Sequence, residues 1–187
     1  MSTTSRSARF PVSTPLAVAV RAVAAAALAI VVTFGLDHSS PARFGLLVLG
    51  AYLLVQAVVL ALCTPGLAWS RIGRGLVLLR ALASLVGGVV ALSGADGGID
   101  VLRPVEALVF LIIGAIEIVG GLRRSERADL SGDAVVVGGL QVLVGVLLII
   151  LNSDPLFAVG VLAAWGAIVA VYLGISAANL RRREVRA

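Results

Sequence analysis

The chain has 187 residues, of which 60% are hydrophobic and only 13% charged. Soluble domains carry about 25% charged residues, and a chain this short could not hide so much apolar surface in water, so a soluble globular enzyme and a disordered chain are both excluded. The mean hydropathy is +1.10, and the solvent this sequence asks for is lipid.

All 15 basic residues are arginine and the net charge is +5. These arginines are scattered between apolar runs and make no basic face with polar neighbours, so no nucleic-acid partner is expected. The sequence has one cysteine and one histidine, Cys63 and His38. One cysteine closes no intramolecular disulfide, and the pair assembles no His/Cys metal site, so no metal and no cofactor are expected.

A hydrocarbon core about 30 Å thick is crossed by about 20 apolar residues in helix. Six stretches meet that length, at about 16–36, 44–63, 76–93, 104–122, 134–151 and 156–178. The turns between them carry Gly or Pro with Asp, Asn or Ser, as in Asp37-His38-Ser39-Ser40-Pro41, Ser93-Gly94-Ala95-Asp96-Gly97-Gly98 and Asn152-Ser153-Asp154-Pro155. The first stretch follows Arg6 and Arg9 as a secretory signal would. It is longer than a signal core and lacks an A-x-A cleavage pattern, so it is expected to be kept as a structural helix.

Arginine placement sets an orientation. Arg6, Arg9, Arg71, Arg74, Arg123, Arg124, Arg127, Arg181, Arg182, Arg183 and Arg186 fall on one side, against Arg43 and Arg103 on the other. This places both termini in the cytoplasm of a bacterial inner membrane, with a 1–15 tail, a 16–180 transmembrane domain and a basic 181–187 tail.

The chain also repeats itself. Arg21-Ala22-Val23-Ala24 aligns with Arg80-Ala81-Leu82-Ala83 at an offset of 59, and Gly35 and Asp37 fall on Gly94 and Asp96. A further offset of 58 carries Asp96 to Asp154 and Leu122-Arg123-Arg124-Ser125-Glu126 to Leu180-Arg181-Arg182-Arg183-Glu184. The expected fold is therefore all-α and polytopic: six transmembrane helices as three parallel hairpins, at about 16–64, 76–122 and 134–180. Parallel repeats differ from the inverted repeats of many alternating-access transporters.

Leu143-Val144-Gly145-Val146-Leu147, Asp154-Pro155, Ala158-Val159, Gly174-Ile175 and Arg181 together resemble the short hairpin repeat of the HdeD family of bacterial membrane proteins. Gly114-Ala115-Ile116-Glu117-Ile118-Val119-Gly120-Gly121-Leu122 is similar to the second helix of that unit. The resemblance covers about 76–184 well and 16–64 loosely, on motifs that are mostly Gly among aliphatics. It implies a six-helix inner-membrane protein associated with acid resistance, and it carries over no catalytic residue.

Charged groups inside a span cost about 2.5–3.5 kcal/mol at the helix centre and mark candidate functional sites. Arg21, Arg80 and Glu117 lie roughly 6–7 Å, and Gln56, Gln141 and Tyr172 roughly 9–11 Å, from the cytoplasmic ends of their spans at about 1.5 Å per residue. Each helix thus offers one polar group at a similar depth. The arginines can snorkel to the interface or pair with Glu117; the pairing is expected, with Arg80 favoured over Arg21. Gln56, Gln141 and Tyr172 read as interhelical hydrogen-bond glue. Glu106, two residues after Pro104, reads as an ordinary helix start. Asp37, Asp96 and Asp154 recur at the outer turns. With His38 they are either turn residues or a set of outer titrating groups suited to an acid response. Gly166, Ala170, Gly174 and Ala178 form a small-residue face on the last helix, for packing in the bundle or against a second copy in a homo-oligomer.

The sequence holds no G-x-S-x-G, H-E-x-x-H or Walker motif. The expectation is a non-enzymatic, HdeD-like membrane protein in acid or envelope stress protection, with a small proton or solute channel or transporter as the alternative.

Overall fold

The computed structural model describes residues 14–36, 39–63, 71–123, 128–151 and 154–186. Among them are six long α-helices: α1 (Thr14–Gly35), α2 (Pro41–Cys63), α3 (Arg71–Ser93), α4 (Ile99–Leu122), α5 (Ala128–Ile150) and α6 (Pro155–Arg186). All six are long and apolar enough to cross a membrane. The chain is a six-helix polytopic membrane protein built of three parallel hairpins.

The helices outrun the apolar stretches at several ends. Helix α3 starts at Arg71 rather than near 76, α4 at Ile99 rather than 104, and α5 at Ala128 rather than 134. Helical hydrogen bonding does not require apolar side chains, so the extra turns carry the polar residues that meet the membrane surface. A short 3-10 turn, Ala95–Gly97, leads into α4 through Gly98, whose φ of 64° is a conformation that a side chain would oppose.

Packing follows the repeat. Within each hairpin the two helices meet only moderately. The closest pairs instead join one hairpin to the next: α2 with α3, α4 with α5, and α6 back onto α1. The hairpins therefore close into a ring with approximate threefold symmetry. Helices α2, α4 and α6 touch one another on the inside, while no two odd-numbered helices pack directly among the described residues.

Glycine makes each close pair possible. A Cβ on Gly50 of α2 would lie 3.1 Å from the Gly88 carbonyl of α3. One on Gly114 of α4 would lie 2.8 Å from that of Gly138 on α5, and one on Gly166 of α6 would lie 3.1 Å from that of Ala25 on α1. In lipid, where no hydrophobic force drives helices together, such backbone approach is a main source of association.

The outer surface is apolar. Val23, Phe34, Val58, Leu82, Leu108, Ile149 and Val171 all face outward. Helix α3 is inverted relative to a soluble helix: Leu78, Leu82, Leu85 and Val89 are exposed, while Arg80 and Ser84 are buried. One contiguous core draws residues from all six helices.

Candidate functional site

Near the end of the bundle where α1 begins and α6 ends, Arg21 of α1, Arg80 of α3 and Glu117 of α4 converge. Arg80 Nη1 lies 2.6 Å and Arg21 Nη2 2.8 Å from the same oxygen, Glu117 Oε1. All three side chains are largely shielded, with Glu117 only 5% exposed. The two arginines occupy equivalent positions of the first and second hairpins; the third hairpin has Gly138 there, at its crossing with Gly114. With glycine at the third position, two guanidinium groups share one carboxylate, a cluster with one surplus positive charge. Among the described residues, Glu117 Oε2, Arg21 Nε and Arg80 Nε have no hydrogen-bond partner.

A polar layer continues from Arg80 towards the bundle centre. Gln56, Arg80, Ser84 and Gln141 share a cavity of about 10 Å³ with Tyr52 and Trp165. Gln56 Nε2 donates to the Tyr52 hydroxyl at 2.9 Å. Gln56 Oε1, Gln141 Oε1 and Trp165 Nε1 are buried without partners among the described residues. Above this layer each inner helix contributes one aromatic ring. Tyr52 and Phe110 both meet Trp165 edge to face, with centroids 5.6 and 4.8 Å away, a favoured arrangement for ring quadrupoles.

Five of the six intramembrane residues singled out in the sequence thus meet at one end of the core. Tyr172 does not. Its hydroxyl donates to Asp133 Oδ1 at 3.0 Å, and Ser176 donates to Asp133 Oδ2, so Tyr172 belongs to a separate clamp between α5 and α6. Trp165 lies two turns before Tyr172 on nearly the same face of α6, so height and not rotation separates them: Tyr172 is about 10 Å further along the helix at about 1.5 Å per residue, where Asp133 of α5 supplies an acceptor. Asp133 was hidden from the sequence reading because it precedes the apolar run; it sits in the second turn of α5.

The aromatic and hydroxyl groups of the site were also missed, although a helical signal existed. Tyr52 is four residues before Gln56, Ser84 four after Arg80, and Phe110 two turns before Glu117, so each shares a face with a residue already chosen.

Glu106 departs most from expectation. Helix α4 starts at Ile99, so Pro104 is inside the helix and Glu106 is two turns in rather than at the start. Its side chain is fully buried, and among the described residues neither carboxylate oxygen has a hydrogen-bond partner. The apparent start at 104 came from Asp100 and Arg103, which interrupt the hydropathy without ending the helix. Arg103 itself caps α5, donating from Nε to the Leu148 carbonyl at 2.8 Å and from Nη2 to that of Ile149 at 3.0 Å.

At the opposite end of the bundle, Asp96 pairs with Arg43 at 3.3 Å on an exposed surface. Asp154 accepts the Phe157 N–H at 2.7 Å and so caps α6. Asp96 lies in the 3-10 turn with its partner on α2, and Asp154 precedes α6 with its partner in that helix's first turn. Asp37 and His38 lie outside the described residues. The small-residue face of α6 divides: Gly166 is buried on α1 and Ala170 is half-buried, whereas Gly174 and Ala178 are exposed.

No family model matches the chain, and neither a curated protein nor a solved structure does.

Proposed function

We propose that this chain is a non-enzymatic, HdeD-like protein of the bacterial inner membrane, with both termini cytoplasmic and a role in protection against acid or envelope stress. The repeat motifs from 143 to 181 and the arginine asymmetry support the family and orientation. The observation that carries the role is the Glu117 ion pair. One carboxylate ties α1, α3 and α4 together inside a tightly closed core, a design suited to holding a bundle rigid under stress. The lipid bilayer is its medium, no nucleic acid is a partner, and the exposed Gly174 and Ala178 would serve a homo-oligomer.

The test is a deletion strain challenged with acid and assayed for survival and leakage of a small dye. Restoration by the wild-type gene, with weaker restoration by Glu117→Leu, is the expected outcome. A deletion with no effect on either readout would overturn the role.

A proton or small-solute channel or transporter is the second reading. It is favoured by the polar layer that reaches from Glu117 through Gln56 and Gln141 to the bundle centre. Liposome flux abolished by Glu117→Gln would establish it over the structural role.

A further inference from the structure

The stress reading makes no use of Glu106, the most costly group in the core. A carboxyl in an apolar interior needs a proton or a companion charge, because a bare charge there is far too expensive. Among the described residues Glu106 has no companion: both oxygens lack hydrogen-bond partners and the side chain is 0% exposed. Its neighbours along the inner face of α4 are Leu102 and Phe110, also buried.

Within the core, the charged and titratable groups of the elements packed on α4 are engaged elsewhere, and Arg71 and Arg74 of α3 and Arg181 and Arg182 of α6 are exposed at the end of the bundle away from Glu106. Helix α2 offers Tyr52, bonded to Gln56. Helix α3 offers Arg80, held by Glu117. Helices α5 and α6 offer Asp133 and Tyr172, bonded to each other. The 3-10 turn offers Asp96, paired with Arg43 at the surface. On α4 itself, Glu117 is eleven residues away, about 16 Å along the helix at 1.5 Å per residue, on the far side of the aromatic layer.

The same turns of α4 that carry Glu106 form the wall of a surface cleft. A cleft of about 330 Å³ opens at the hairpin-turn end of the bundle, lined by Asp100, Arg103, Pro104 and Ala107 of α4 and by Leu148 and Ile149 of α5. Pro104 and Ala107, two residues before and one after Glu106, belong to the cleft wall, while the Glu106 side chain is buried in the core. Pro104 has no N–H, which leaves the Asp100 carbonyl without its helical donor and weakens the first two turns of α4.

From these observations we infer that Glu106 is a proton-binding site, loaded from the hairpin-turn face of the membrane through the Asp100–Arg103 cleft and kept apart from the Arg21–Arg80–Glu117 cluster by the Tyr52–Phe110–Trp165 layer. Loading forms one O–H bond on a carboxylate oxygen and breaks none in the protein; unloading returns the proton to water by the same cleft. Protonation permits the closed bundle seen here, and the charged carboxylate requires α4 to turn towards the cleft. The site gives the acid-stress reading a sensor. It would exist even if that physiology were wrong.

The test is pH-difference infrared spectroscopy on the full-length protein in liposomes. The signal is the high-frequency C=O band of a carboxylic acid without hydrogen-bond partners, which lies apart from the band of exposed carboxyls. The expected result is a band that titrates reversibly with pH, is lost in Glu106→Gln and shifts in Glu106→Asp. If the glutamine variant does not fold, the aspartate variant decides alone. A wild-type protein without a titrating band of this kind, or a band unshifted in the variants, overturns the site. The acid-survival assay reads physiology independently, so either idea can fail while the other stands.

Discussion

Glu117 is the residue on which most of the buried charge depends. Removing it strands two guanidinium groups in the core, whereas removing a partner along with it strands one. Breaking a buried pair costs about 3–5 kcal/mol, mostly through the charge left behind. Glu117→Leu should therefore lower the thermal midpoint in detergent more than Glu117→Leu combined with Arg80→Leu, and adding Arg21→Leu should recover more still. A scanning fluorescence melt of the three variants checks the order; a double variant less stable than the single would mean that the arginines stabilise the core on their own. The pairing could be anticipated from depth alone, since charges at one level of a bilayer have little else to bind. The sharing of one carboxylate by two arginines could not, because it depends on how α1 is placed around the ring.

At the scale of the helix, the crossings decide stability, and adjacent glycines of α5 give a controlled comparison. A Cβ on Gly138 would sit 2.7 Å from the Gly114 carbonyl and 2.9 Å from the Ile118 side chain, while one on Gly139 meets nothing within 4 Å. Overpacking costs about 1–3 kcal/mol, and alanine is preferred to glycine in a helix by about 1 kcal/mol. Gly138→Ala should thus destabilise the protein and Gly139→Ala should leave it unchanged or firmer, as read by melting in the same detergent; equal effects would exclude the close α4–α5 crossing. The spans themselves were legible in the sequence, because hydropathy and length are set by the bilayer. Their ends were not. Asp100 and Arg103 looked like a loop because an average over polarity cannot see that Arg103 is bonded to the α5 carbonyls. Glu106 was misplaced with them, and Tyr172 was assigned to the wrong cluster because its partner Asp133 precedes the apolar run of α5 and was not among the residues chosen.

At the scale of the whole molecule, the repeat explains both the topology and the ring. Each hairpin enters and leaves on one face, and each lays its second helix against the first helix of the next, α6 doing the same to α1. With that closure the chain has no privileged starting hairpin. A permutant can be drawn that begins at Arg71, runs through Arg186, passes through a flexible Gly/Ser linker to Thr14 and ends at Cys63. It cuts the chain on the face where the termini already lie, so every helix keeps its direction through the membrane. The cut separates α2 from α3 in sequence, but their Gly50–Gly88 crossing can re-form within the ring. The linker meanwhile joins α6 and α1, which are already close neighbours. Such a permutant should insert, remain monodisperse in detergent, keep its helical circular dichroism and melt within a few degrees of the parent. The same linker with a cut at the Gly97–Gly98 turn would move both ends to the opposite face and split a hairpin, and it should insert poorly. Failure of the first permutant alongside normal insertion of the second would mean that the helices are ordered by hairpins alone, and that the α6–α1 contact does not close the fold.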